Sequence, residues 1–172
     1  MSAIPETAGD PDETASPVPT VQESPEPAAR VSPAPTAQHP PAPTVQDLMA
    51  LMPYAVALGV ELESVTPDLA VGHLDWAPER CTAGGVMHGG ALMALADTVG
   101  ALCAFAGLPA GAGTATTSSA TNLFRAVRDG RVTARARPLH RGRTLVVVET
   151  ELVDAAGRPV AKVTQSQAVL TG

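Results

Sequence analysis

Apolar and polar positions change period twice along this chain. Between Val45 and Leu58, the apolar residues Leu48, Leu51 and Met52 precede Pro53, which predicts a short helix or turn laid against the domain. Leu69 to Trp76 alternates as a strand does, and Pro78 ends it. From Val86 to Phe105 almost every residue is apolar or small. A helix is expected there from about Gly89 to Phe105, stopped by Gly107 and Pro109. Beyond it the two-residue period returns. Thr114 to Phe124 is dense in β-branched threonine, Arg131 to Leu139 alternates arginine with apolar residues, and Thr144 to Val153 and Val160 to Leu170 make two more strands. Asp129-Gly130 and Asp154-Ala155-Ala156-Gly157 supply hairpin signals between them. One long buried helix followed by hairpin-linked strands predicts an α+β domain with an antiparallel sheet on one side of the helix.

Composition divides the 172 residues unevenly, because eleven of the 17 prolines fall before Val45. Met1 to Thr44 is rich in Pro, Ala, Thr, Ser and Glu and is expected to be a disordered tail, lacking the apolar residues that would offset ordering entropy. It has neither the basic start and apolar core of a signal peptide nor the early arginines of a transit peptide, so a cytoplasmic protein is expected. Residues 45–172 suffice for one domain with a core.

Neither side of Asp97 offers the roughly 20 continuous apolar residues of a membrane span, so no membrane association is expected. The net charge of −6 gives no reason to expect nucleic acid as a partner. Arg125, Arg128, Arg131, Arg135, Arg137, Arg141 and Arg143 nevertheless crowd one segment, which suits a phosphorylated small ligand. Cys81 and Cys103 lack metal-site spacing and are expected to be free thiols, with no metal and no cofactor.

Asp97 is the one charge inside the apolar helix, where an unpaired carboxylate costs several kcal/mol unless something needs it, on the order given by polar transfer energies. His88-Gly89-Gly90 opens that helix. Its free backbone N–H groups can hold a developing negative charge such as the oxygen of an attacked carbonyl. Asp97 lies eight residues beyond Gly89, about 12 Å along the axis at 1.5 Å per residue. That is too far for both to act on one carbonyl carbon from one chain. If both act on one substrate, they come from two subunits whose helices run antiparallel, and a dimer follows.

Asp97 would then be a general base polarising water or a nucleophile attacking the acyl carbon. The residues alone leave another role open, in which Asp97 hydrogen-bonds a neighbouring strand or caps a helix beginning at Thr98. His88 is as consistent with a structural hydrogen bond as with a base, and Gly89-Gly90 with a tight turn. Among Thr114, Thr116, Thr117, Ser118 and Ser119, one hydroxyl can reach the water that Asp97 would use.

His88 to Asp97 resembles the HGG-x6-D/E signature of hotdog-fold acyl-CoA thioesterases of the phenylacetate-pathway (PaaI) type. Asn122 to Val127, Gly130-Arg131-Val132, Pro138 to Arg143 and Asp154 to Arg158 are similar to the branch that includes hydroxybenzoyl-CoA and dihydroxynaphthoyl-CoA thioesterases. The resemblance covers nearly all of Val45 to Leu170. It implies a hotdog fold, a five- or six-stranded antiparallel sheet wrapped around one long central helix, assembled as a homodimer or homotetramer. It also implies an acyl-CoA substrate, hydrolysis by Asp97, an oxyanion contact from the Gly89 amide of the other subunit, and an orienting part for His88.

The catalytic candidates are therefore Asp97, Gly89 and His88. The substrate-binding candidates are Thr82, Gly90, Ala101, Thr116, Thr117, Asn122, Arg125, Arg141 and Arg143, the arginines toward the CoA phosphates. Two positions depart from the family pattern. Thr82 stands where relatives carry Asn or Gln, and Ala101 where the aromatic-acyl branch carries Ser or Thr. The competing readings are a non-catalytic acyl-CoA-binding hotdog protein and a hotdog hydratase or dehydratase with His88 as base.

Overall fold

The computed structural model describes residues 44–171. The tail read over Met1 to Thr44 lies outside the described residues except for Thr44, whose side chain and that of Asp47 cap each other's backbone at the start of α1 (Val45–Ala50). Pro53 then opens α2 (Pro53–Leu58), and Gly59 closes it at φ +85°, in the left-handed region. The single helix or turn expected here is thus two short helices broken at the proline.

Six strands form one antiparallel sheet: β1 (Glu61–Val65), β2 (Ala70–Asp75), β3 (Gly113–Leu123), β4 (Arg131–Arg141), β5 (Leu145–Val153) and β6 (Pro159–Leu170), in the spatial order β1-β2-β4-β5-β6-β3. The central helix α3 runs from Gly89 to Ala106. Five strands and α3 fall where the alternation put them. Strand β1 escaped the sequence reading because it is an edge strand of five residues whose inward side rests on only the half-buried Leu62 and Val65, too short a run to stand out.

The hairpin expected at Asp129-Gly130 is corrected. Strand β3 pairs with β6 at the far edge while β4 pairs with β2 and β5, so the chain crosses the sheet between β3 and β4. Gly130, at φ +70°, instead starts β4 beside the end of β2, its carbonyl accepting from the Trp76 amide at 2.8 Å. Asp154 to Arg158 does make the β5–β6 hairpin, with Asp154 Oδ1 accepting from the Ala156 and Arg158 amides.

Helix α3 lies against the sheet over a patch of very small residues. Ala70 faces Ala136 and Gly72 faces Ala134 across the β2–β4 ladder, and all four are buried. A Cβ on Gly72 would stand 2.7 Å from Val99 Cγ2 of the helix. Around that close approach pack Leu74, Leu95, Val99, Val132, Val148, Leu152, Val160 and Val163. On β4 the partition is clean, with Val132, Ala134 and Ala136 inward and Arg135 and Arg137 outward. By length and composition α3 would pass for a membrane span, but ten of its 18 residues are buried against the rest of the domain.

Arg141 closes the other end of the helix. Its guanidinium donates to the carbonyls of Ala104 (3.3 Å), Cys103 (3.1 Å) and Pro67, joining the last turn of α3 to the loop before β2.

Gly72→Val should lower stability by about 1–3 kcal/mol through overpacking, read from urea unfolding; unchanged stability would contradict the close helix–sheet approach. Arg141→Met should cost about 1.5–3 kcal/mol, the range for hydrogen bonds to a charged group, and a stability equal to the parent's in thermal unfolding would remove its part as a helix cap.

Candidate active site

The N-terminal end of α3 is held by backbone on three sides. The Met87 amide donates to Val127 O, the His88 amide to Arg80 O and the Thr82 amide to Val86 O, each at 2.8 Å. The loop between them turns through Gly84 and Gly85, both at positive φ, and is pinned by Arg128 Nη1 on Gly84 O and Trp76 Nε1 on Gly85 O. His88 and Gly89 are thereby fixed relative to the β3–β4 connection.

His88 is the N-cap of α3, and its Nδ1 accepts from the Gly90 amide at 2.8 Å. That lone pair is committed to the helix start, which is an orienting part. The Gly90 amide is spent by the same bond. The Gly89 amide has no hydrogen-bond partner among the described residues. A cleft of about 330 Å³ opens beside it, lined by Thr82, Val86, Gly89, Leu123, Phe124 and Arg125 among others.

Asp97 stands in mid-helix, and α3 runs unbroken through Thr98, so Asp97 caps nothing. Its side is not buried as an all-apolar helix suggested. The face carrying Gly90, Met93 and Asp97 is exposed in the single chain, with Asp97 on the flank toward β6 and β3. One carboxylate oxygen is tied to neighbouring strands: Oδ1 accepts from Gln165 Nε2 at 2.5 Å and from Thr116 Oγ1 at 3.1 Å. Oδ2 accepts no hydrogen bond among the described residues. The strand contact left open by the residues alone is therefore real, and it occupies half of the carboxylate.

Thr116 reaches Asp97 because β3 bulges there: Thr116 pairs with Gln167 and Ser118 with Ser166, leaving Thr117 as the extra residue. Thr117 turns its hydroxyl to Ser166 O, away from Asp97. Asn122, exposed near the end of β3, has no side-chain hydrogen bond among the described residues. Ala101 lies one turn beyond Asp97 and lines an apolar groove of about 350 Å³ with Leu51, Met52, Leu102, Phe105 and Thr114.

The arginine candidates do not converge. Arg125 borders the Gly89 cleft, whereas Arg141 and Arg143 lie at the C-terminal end of a helix of 18 residues, about 27 Å long at 1.5 Å per residue. Arg141 is spent on the α3 carbonyls and Arg131 on Asp75 and Glu61, which hold its guanidinium firmly protonated. The cluster read in the sequence is in good part structural. Arg125 and Arg143 make no side-chain hydrogen bond or ion pair among the described residues.

Cys81 and Cys103 are both free thiols. Cys103 is fully buried, and that burial pushes its thiol up, which does not suit a nucleophile.

Gln165 and Gln167 were not singled out by sequence, since a polar run Thr164-Gln165-Ser166-Gln167 reads as a solvated strand. The available signal was their phase: both continue the buried register of Ala161 and Val163 along β6.

A carboxylate with one unpaired oxygen and an unpaired helix-start amide are groups of the kinds that hydrolysis of an acyl compound uses. Comparison with known proteins agrees with that chemistry. The Thioesterase superfamily pattern matches residues 84–161. The proofreading thioesterase EntH of Cronobacter turicensis is 30% identical over 113 residues, which cover 66% of this chain and 82% of EntH. Among solved structures, the thioesterase HI1161 of Haemophilus influenzae superposes with a TM-score of 0.72 at 26% identity, covering 76% of this chain and 93% of that one. AziG of S. sahachiroi superposes with a TM-score of 0.68 at 33% identity, covering 71% and 99% respectively. The fold is the hotdog, and the chain belongs to the Thioesterase superfamily.

Proposed function

We propose that the protein is an acyl-CoA thioesterase of the PaaI type. It hydrolyses the thioester to a free acid and CoA in a homodimer whose α3 helices run antiparallel. One observation carries the reading: Asp97, with one oxygen free, and the Gly89 amide, also free, lie on the same helix eight residues apart, so neither can serve the other's substrate within one chain. Two antiparallel copies bring each Asp97 to a Gly89 of the partner. The face that such pairing covers is the one left bare here, including Met93 at 43% exposure, and the long edge strand β3 lies beside it.

In this reading the Gly89 amide holds the carbonyl oxygen as it gains charge. Asp97 Oδ2 either takes a proton from the attacking water or attacks the acyl carbon itself. The carbon–sulfur bond then breaks, and CoA leaves as the thiol after receiving a proton; where Asp97 is the nucleophile, water then hydrolyses the acyl–Asp97 anhydride, releasing the free acid and restoring the carboxylate. Arg125 and Thr82 border the cleft through which the phosphate-bearing arm passes, and the acyl group extends past Ala101 into the apolar groove. The binding-only reading draws on Thr82, which has no amide to offer the thioester carbonyl.

Asp97→Asn and Gly89→Pro, which removes the amide N–H at a helix position that tolerates proline, should each lower turnover by about 100-fold or more in an assay of thiol release from aliphatic and aromatic acyl-CoAs. Co-assembled, the two defective chains should recover about a quarter of the parent's activity, since half of the dimers then carry one intact site. A mixture as inactive as either parent would sink the two-chain site. No thiol from any acyl-CoA, with binding retained, would establish the binding protein instead. Arg125→Ala should raise KM about three- to tenfold with kcat little changed, and an unaltered KM would remove Arg125 from the CoA path.

A further inference from the structure

Gln165 and Gln167 are fully buried, on adjacent inward positions of β6. They belong to one directed chain of hydrogen bonds. Thr114 Oγ1 shares its one proton between Gln167 Oε1 and Ala168 O, each at 3.1 Å, Gln167 Nε2 donates to Thr116 Oγ1 at 2.8 Å, and Thr116 Oγ1 donates to Asp97 Oδ1 at 3.1 Å. With its oxygen accepting from Gln167, the Thr116 hydroxyl has its one proton left for Asp97. Gln165 Nε2 reaches the same carboxylate oxygen at 2.5 Å from the other side. A carboxylate only accepts, so the orientation of the Gln165 amide is fixed by chemistry.

This arrangement is costly to the core. Among the described residues Gln165 Oε1 is buried without a partner, as is Thr150 Oγ1, and an apolar side chain of similar length would leave no such carbonyl stranded. Room for the amide comes from Gly100, one turn beyond Asp97: a Cβ there would fall 1.9 Å from Gln165 Oε1. Glycine in mid-helix is itself unfavourable. Two separate sacrifices of stability thus converge on placing one N–H against Asp97 Oδ1.

We infer that Gln165 is a positioning residue: it clamps Asp97 through Oδ1 so that Oδ2 is held outward toward the reacting carbonyl, with Gln167 aligning Thr116 as the second arm of the clamp. The inference rests on the reading of Asp97 as the reacting acid.

Full-length Gln165→Met keeps the side-chain length and removes the donor. It should lower kcat by about 10- to 100-fold, the scale for a misplaced catalytic group, with KM within about threefold and a Tm equal to or above the parent's. Gly100→Ala, which drives the amide away without touching it chemically, should move kcat in the same direction. Added to Asp97→Asn, Gln165→Met should cause no further loss. A normal kcat in Gln165→Met beside a crippled Asp97→Asn overturns this inference alone, as does an equal loss in the presence and absence of the Asp97 carboxylate, or a kcat loss that merely accompanies a large fall in Tm. Full turnover in Asp97→Asn overturns the reading of Asp97 itself.

Discussion

The close seating of α3 on a patch of one glycine and three alanines is the constraint from which the rest follows. Gly72 and the three alanines around it admit the helix to van der Waals contact with the strand backbone, and Val99 fills the space a larger residue would need. Once that face is committed inward, the rotation of the helix is set, and with it the outward direction of Gly90, Met93 and Asp97. A helix seated farther out would be free to roll. Its polar position would then have no defined address.

From the opposite side the carboxylate is met by strands that approach for an independent reason. The order β5-β6-β3 carries β6 beside the last strand on that edge, and the bulge at Thr117 shifts the phase of β3 so that Thr116 joins the glutamines. Asp97 is therefore fixed at two levels, by helix rotation and by the strand donors. The helix start is fixed separately, through Arg80, Val127 and the loop glycines. The two ends of the proposed chemistry thus owe their positions to different parts of the fold.

What was legible beforehand tracks how local the cause is. Helix α3 announced itself through an apolar run with Gly107 and Pro109 at its end, and β4 through the alternation of arginines with Val132, Ala134 and Ala136. Asp97 stood out because a charge amid apolar residues is rare whatever the tertiary context. Strand β1, paired on one edge only, put just Leu62 and Val65 against the core, too short a pattern to stand out. The strand order escaped because Asp129-Gly130 is a local turn signal, whereas the β3–β6 ladder pairs residues from 38 (Leu123 with Ala161) to 57 (Gly113 with Leu170) apart. The arginine segment misled in part for a similar reason: despite their proximity in sequence, Arg125 lies by the start of α3 and Arg141 by its end.

His88 narrows what the helix start can recognise. A run of free amides at such a position suits tetrahedral oxyanions, which need several donors at once. With the Gly90 amide already satisfied by the imidazole, the terminus presents a single N–H at Gly89. A single N–H can meet one oxygen atom at a time, which makes this terminus a poorer host for a tetrahedral anion than a run of free amides would be.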